Sequence, residues 1–280
     1  MRLINVRTYA IQEFFGDSIP AYAILSHTWG EEEVTFQDMQ HLNEEVKAKL
    51  GFEKIKNTCE QAQRDLIDWS WVDTCCIDKT SSAELSEAIN SMFQWYARSK
   101  ICYAFLADVR FVYGMSKSRW FTRGWTLQEM LAPSEVVFYS KDWEFLGRKA
   151  AVACGISQQH IRVLTSFAPE DWTIGEKMSW ASARQTTRVE DVAYCLLGLF
   201  GANMPPLYGE GERAFIRLQE EIMRVSDDQS LFAWADKDAI PGLPSGILAR
   251  HPANFAESNS NDYIHPYTPP GPTRYGHHVR

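Results

Sequence analysis

The chain lacks the clustered basic excess that a nucleic-acid backbone demands. Its 28 Lys and Arg stand against 36 Asp and Glu, a net charge of −8, and no nucleic-acid partner is expected. It also lacks long apolar runs. No stretch approaches the roughly 20 apolar residues of a bilayer-spanning helix. Residues 1–15 alternate polar and apolar positions, so neither a signal peptide nor a membrane anchor is expected. Cysteine is sparse: Cys59, Cys75, Cys76, Cys102, Cys154 and Cys195 are scattered and form no C-x-x-C pair. The adjacent Cys75 and Cys76 would point to opposite faces if extended, so no metal is expected. Without a leader, the six read as reduced thiols of a cytoplasmic protein. No internal repeat is present.

What remains is ordinary globular composition, 45% hydrophobic and 23% charged over 280 residues, enough for one large domain or two small ones. Residues 21–26 (AYAILS) form an apolar run ending in His27-Thr28-Trp29-Gly30, a buried strand leading into a loop. Ile55, Cys59, Ala62 and Leu66 recur at steps of three and four, one face of a helix. Residues 69–74 (WSWVDT) read as a second strand closing on Asp73. Ser81-x-x-Glu84 is a capping box before a stripe of Leu85, Ala88, Ile89, Met92, Phe93 and Tyr96. Residues 101–106 (ICYAFL) form a third strand, then come a helix from about Arg119 to Leu131, a stop at Pro133, and a strand over 135–139.

Strands that are apolar throughout and alternate with helices predict a parallel sheet of four or five strands, covered on both faces. In such sheets a site lies beyond the carboxyl ends of the strands. After Trp143 the pattern turns helical. Thr187-x-x-Glu190 reads as a capping box opening a helix with Val189, Val192, Ala193, Leu196, Leu197 and Phe200 inward. A Pro/Gly loop over 203–211 precedes a helix carrying Ala214, Phe215, Leu218, Ile222 and Val225. From 236 onward the sequence is Pro-rich and aperiodic, an irregular tail.

Four stretches carry a family resemblance: AYAILSHTWG (21–30), WVDTCCIDKTSSAELSEAINSMFQWY (71–96), SRWFTRGWTLQEMLAP (118–133) and TTRVEDVAYCLLGLFGANMPPLYGEGERAFIRLQEEI (186–222). In this order they resemble the heterokaryon-incompatibility (HET) domain of fungal cell-death proteins, over roughly residues 1–235. Members of that family are typically modules joined to nucleotide-binding and repeat domains. The resemblance therefore implies a stand-alone form or an excised module, with NLR-type recognition proteins as partners. It divides the chain into a core over about 20–145, a HET-specific helical part over about 146–235, and the tail over 236–280.

More distantly, residues 21–131 are similar in layout to a Toll/interleukin receptor-like (TIR) domain, which implies a TIR-like, flavodoxin-like α/β fold. Trp125-Thr126-Leu127-Gln128-Glu129 stands where TIR enzymes carry Trp-Cys-x-x-Glu. That resemblance makes Glu129 the residue needed to cleave the nicotinamide–ribose bond of NAD, with NAD as substrate, no cofactor, and activity in a homo-oligomer. Thr126 replaces the usual cysteine, which is not obligatory for the chemistry.

The residues support that role independently. Trp125 and Glu129 are four apart and share a helix face. A fixed carboxylate stabilises the oxocarbenium-like charge that develops on ribose. The alternative is a glutamate at a helix end, solvated or paired with Arg123. For Ser26, His27 and Trp29 at the first strand end the TIR resemblance implies nucleotide contact; the alternative is that His27-Thr28-Trp29-Gly30 serves only as a turn. Asp73 binds a ribose hydroxyl or caps a turn; Arg123 meets the pyrophosphate or a surface acid. Cys75 with His27 would suggest a thiol hydrolase, but no third orienting group is evident. The competing function is a non-enzymatic death-signalling module that acts by oligomerisation and recruitment.

Overall fold

Ala23–His27, Ile101–Phe105 and Val136–Tyr139 are strands buried along their whole length, because each is covered by helices on both faces. The computed structural model describes residues 1–149, 171–236 and 246–258. In chain order the strands are β1 (Arg2–Asn5), β2 (Ile11–Glu13), β3 (Ala23–His27), β4 (Trp69–Trp71), β5 (Ile101–Phe105), β6 (Val136–Tyr139) and β7 (Phe145–Arg148). Among the described residues they form one sheet in the order β2-β1-β4-β3-β5-β6-β7.

β4, β3, β5 and β6 are mutually parallel, as expected. The sheet as a whole is mixed. β1 pairs antiparallel with both β2 and β4, and β7 pairs antiparallel with β6. The parallel reading missed these edges because three- and four-residue strands are too short to display a period. β7 also replaces the helical start expected after Trp143; its residues are largely solvent-facing and give no apolar run. Trp143 takes a left-handed φ of 59° in the turn before it.

Alternation along β4 separates the two helical layers. Ser70 Oγ meets Cys59 Sγ at 3.4 Å on the helix Leu50–Arg64, while the Trp71 ring packs on Trp95 and Tyr96 of the helix Ser82–Arg98. Ser81 caps that second helix, accepting from the Glu84 amide. Leu66 departs from the expected stripe. It lies beyond Arg64 with φ 58° and is 88% exposed.

Several polar segments are rearranged relative to the sequence reading. β4 stops at Trp71, and Asp73–Cys76 is a helical turn whose Cys75 and Cys76 amides return to the Val72 carbonyl. The two cysteines therefore do not straddle a strand; both are buried. The expected helix 119–131 is interrupted, with a 3-10 turn at Arg119–Thr122 and a helix at Thr126–Leu131. Between them the Gly124 amide donates to the Gln185 carbonyl at 2.8 Å, and the Gln185 amide to Thr122 at 2.7 Å. Gly124 permits this approach, since a Cβ there would sit 2.5 Å from the Thr186 methyl.

Residues 171–236 pack on this body through short helices. Residues 150–170, with Cys154, lie outside the described residues, as do 237–245 and the tail beyond 258. The helix Arg213–Val225 buries Ala214, Phe215, Leu218 and Ile222, whereas Val225 is exposed at its end. Thr187 and Glu190 make no capping box. Only Asp191–Tyr194 is helical there, followed by a 3-10 turn at Gly198–Phe200, and Val189 faces solvent. Beyond residue 236, Ala249 and Phe255 are buried. The Gln219 side chain ties this segment down by bonding both the Ala249 carbonyl and amide. Among the described residues no helix is long and apolar enough to cross a membrane.

Candidate active site

The chain leaves β3 for β4 on one side and then crosses over to β5 on the other. The carboxyl ends of β3 and β5 therefore open a crevice at a topological switch point. β3 carries Ser26 and His27 to this place.

Ser26 is fully buried beneath the crevice. Its hydroxyl accepts from Trp120 Nε1 at 2.8 Å and donates to Glu129 Oε2 at 2.5 Å. Glu129 is 8% exposed, and among the described residues no ion pair holds it. Burial pushes its carboxyl up to about 8; the Ser26 and Tyr96 hydrogen bonds oppose the shift and the charge of Asp73 adds to it. The shift favours the neutral acid of Glu129 over its carboxylate around neutral pH.

Asp73, at the start of the turn after β4, organises the next wall. Oδ1 lies 2.9 Å from His27 Nε2, and Oδ2 accepts from Trp29 Nε1 at 2.8 Å. The Lys79 ammonium sits over the Trp29 ring, 3.7 Å from its centroid. Burial alone would raise this carboxyl, but the charge of Lys79 and the bonds from His27 and Trp29 outweigh it and hold Asp73 down to about 2. His27 Nδ1 is 3.3 Å from Lys54 Nζ. The Lys54 ammonium also pairs with Glu33 and donates to the Thr28 carbonyl.

These groups line a cavity of about 320 Å³, within the range of small-molecule sites. His27, Trp29, Asp73 and Lys79 line it together with Arg123, Trp125 and Glu129. Ile77, Leu85, Ile89 and Met92 supply an apolar side, and Thr187, Arg188, Asp191 and Tyr208 close the cavity opposite. All the sequence candidates except Ser26 thus face one space, and Ser26 reaches it only through Glu129.

The closing wall is held by a polar scaffold. Asp191 Oδ1 accepts from the Tyr208 hydroxyl at 2.9 Å, and the Arg188 guanidinium lies 4.4 Å from the Tyr208 ring centroid. Glu190 Oε1 accepts from the Gly209 and Gly211 amides at 2.8 and 3.1 Å. Gly209 and Gly211 have φ of 106° and 61°, conformations that glycine adopts without steric cost. Glu190 thus pins the loop that presents Tyr208. Glu190→Ala leaves two amides without their acceptor, which should cost about 1–3 kcal/mol. Urea denaturation, with hydrogen exchange at residues 207–211, measures that loss; unchanged exchange in this loop would contradict the assignment.

Cys75 is unsuited to nucleophilic chemistry. Burial, followed by the neighbouring Cys76, pushes its thiol far up, and both ring nitrogens of His27 have other neighbours. The described cysteines, Cys59, Cys75, Cys76, Cys102 and Cys195, are free and buried. Among the described residues no three His, Cys, Asp or Glu side chains cluster as metal ligands would.

Residues 22–110 match the family model "Heterokaryon incompatibility protein (HET)". The chain is 40% identical over 256 residues to "Vegetative incompatibility protein HET-E-1" of Podospora anserina, an alignment covering 82% of this chain and 18% of that protein. The chain belongs to the heterokaryon-incompatibility family. It spans under a fifth of the length of this curated relative. Residues 213–265 match a second model, a domain of unknown function (DUF8212). No solved structure matches the chain.

The HET match contains His27, Trp29, Asp73 and Lys79 but ends before Arg123, Trp125 and Glu129. Lys79 lies inside the WVDTCCIDK stretch, and its charge next to Asp73 was the available signal for it. Trp120 was likewise legible only as a second tryptophan in SRWFTRGWTLQE. Arg188, Asp191 and Tyr208 sit in a motif whose spacing reads as a charged helix start and a loop. Their place in this HET domain's cavity depends on contacts across more than fifty residues of chain.

Proposed function

We propose that this chain is the cell-death effector module of a fungal incompatibility system and that it cleaves the nicotinamide–ribose bond of NAD with Glu129 as catalytic carboxylate. The observation that carries this reading is the placement of Glu129 in a crevice at the carboxyl ends of parallel strands, among aromatic and cationic side chains. The order of the four parallel strands, second-first-third-fourth along the chain, is that of flavodoxin-like sheets and supports a TIR-like core. Membership of the incompatibility family supports the death-effector role.

The chemistry proceeds from the cationic nicotinamide. The C1′–N1 bond breaks, and nicotinamide leaves as a neutral ring with the bonding electrons. The positive charge passes to the ribose C1′ and ring oxygen. A Glu129 carboxylate beneath that charge stabilises it more than the neutral product. Water then adds at C1′ and releases a proton, giving ADP-ribose. Aromatic faces such as Trp125 favour the cationic ring over the neutral leaving group. The active species is a homo-oligomer, and NLR-type recognition proteins are its proposed partners.

The raised Glu129 carboxyl fixes a pH dependence. The ionised form is the active one, so kcat/KM, which reports the free protein, should climb about tenfold per pH unit up to about pH 8, where the raised carboxyl ionises, and level off above it. A profile that is flat or falling from pH 6 to 8 would contradict a carboxylate role. The direct test is incubation of purified protein, at high concentration, with NAD while nicotinamide release is followed. No nicotinamide from assembled protein would leave the recruitment reading in its place.

A further inference from the structure

Arg123 and Arg188, 65 positions apart in the chain, border the same cavity. Arg123 is held through its backbone and side chain, and Arg188 through a ring contact. The Arg123 backbone is clamped by a bridge to Gln185 and by Arg184, whose guanidinium donates to the Arg123 carbonyl at 2.8 Å and to Thr126 Oγ1 at 3.0 Å. Arg123 Nη1 donates to Thr187 Oγ1 at 3.2 Å, which places its guanidinium beside the residue preceding Arg188. Arg188 lies against the Tyr208 ring, and Asp191 fixes that ring in turn.

Among the described residues, no carboxylate lies within ion-pair distance of either guanidinium, whereas other arginines of the chain, such as Arg217 with Glu210, are paired. The charges of Glu129 and Asp191 reach them only at longer range. An arginine offers five N–H donors in a planar fork. Arg123 spends one of these on Thr187. Two guanidinium forks that border one cavity, with donors left beyond their named contacts, match an anion with oxygens on two linked centres.

We propose that Arg123 and Arg188 form a two-sided clamp for a diphosphate group, so that the ligand class of this cavity is a nucleoside diphosphate conjugate. The clamp rests on the reading of the cavity as an NAD site and sharpens it. The diphosphate lies across the seam between the β-sheet body and the 184–211 segment. The cavity of about 320 Å³ then takes the nicotinamide–ribose half of the ligand, with the remaining nucleoside outside the rim. Arg188 here is a binding residue that sequence spacing alone assigns to a helix start.

Binding of inorganic pyrophosphate, followed by calorimetry on the assembled protein, tests the clamp without requiring any cleavage. Pyrophosphate should bind, weaken as salt rises, and lose at least tenfold in affinity in Arg123→Gln and in Arg188→Gln. Methylene diphosphonate should follow the same pattern, and inorganic sulfate should bind much more weakly. Pyrophosphate affinity unchanged in both variants, or no binding by the parent protein, overturns the clamp. Retention of the fold in each variant is checked by its thermal midpoint. If pyrophosphate binds in this Arg-dependent way while NAD is never cleaved, the clamp stands and the NAD-cleavage reading falls. If NAD is cleaved, the loss in kcat/KM on Arg188→Gln should be at least tenfold for NAD and under threefold for nicotinamide riboside, which has no phosphate. Equal losses on both substrates overturn the clamp.

Discussion

Replacing Glu129 by Gln should lower NAD cleavage roughly a hundredfold or more, as when a preorganised electrostatic partner of a transition state is removed. The change keeps the shape and one oxygen acceptor, so the Ser26 hydroxyl can still donate to the side chain. Folding should improve, and the sign follows from linkage. The folded carboxyl is raised to about 8 from its ordinary 4.5, so between those values the folded protein holds a proton that the unfolded chain has released. Stability contributed by the neutral acid is fully present below 4.5 and is lost as pH rises towards 8. Gln at 129 never ionises. The variant should therefore match the parent near pH 4.5 and melt above it near pH 8. Thermal melts at the two pH values, beside nicotinamide release at matched protein concentration, separate the catalytic from the structural role. A Glu129→Gln protein that folds, assembles and still cleaves NAD would end the carboxylate mechanism. One that kills cells without cleaving would favour the recruitment reading.

Gly198→Ala should be the most damaging glycine-to-alanine change among the described residues. A Cβ at Gly198 would lie 2.0 Å from Phe93 Cβ and 2.6 Å from Phe93 Cγ. Phe93 Cβ is fixed to the backbone of the helix Ser82–Arg98, so no rotamer change can move it away. The 198–200 turn must instead lift from that helix, disturbing the nearby bonds between Asn90 and Met204. Overpacking of this kind costs about 3 kcal/mol, which corresponds to a drop of roughly 6 °C or more in melting temperature. Gly114→Ala is the control: the nearest atom to its Cβ would be 3.9 Å away, and a change within about 0.5 kcal/mol is expected. Because this contact seats the segment carrying Arg188 and Tyr208, Gly198→Ala should also weaken pyrophosphate binding. Equal stability of the two variants would show that the turn is not held where described.

The sequence by itself determined the parallel centre of the sheet. Its strands there are continuously apolar, and helices with clear stripes, such as Ala88-Ile89-Met92-Phe93-Tyr96, separate them. It also placed His27 and Asp73 at strand ends along one edge, whereas Glu129 joined them only through the TIR resemblance. Local periodicity and capping carry that information without any partner being known. Other features were settled only by tertiary contacts. The edge strands β1, β2 and β7 are too short and exposed to show a period. Leu66 continues a helical stripe on paper but falls one step past the helix end, where nothing covers it. The helix 119–131 breaks at Gly124 because the 184–186 segment bonds there, a contact between residues about sixty positions apart. The character of Glu129 was decided in the same way. Its spacing from Trp125 is legible in the sequence, but its raised carboxyl comes from burial, against which the hydrogen bond from Ser26, 103 residues away, works. The facing wall of Arg188, Asp191 and Tyr208 likewise exists only when the last third of the described chain folds back over the strand ends.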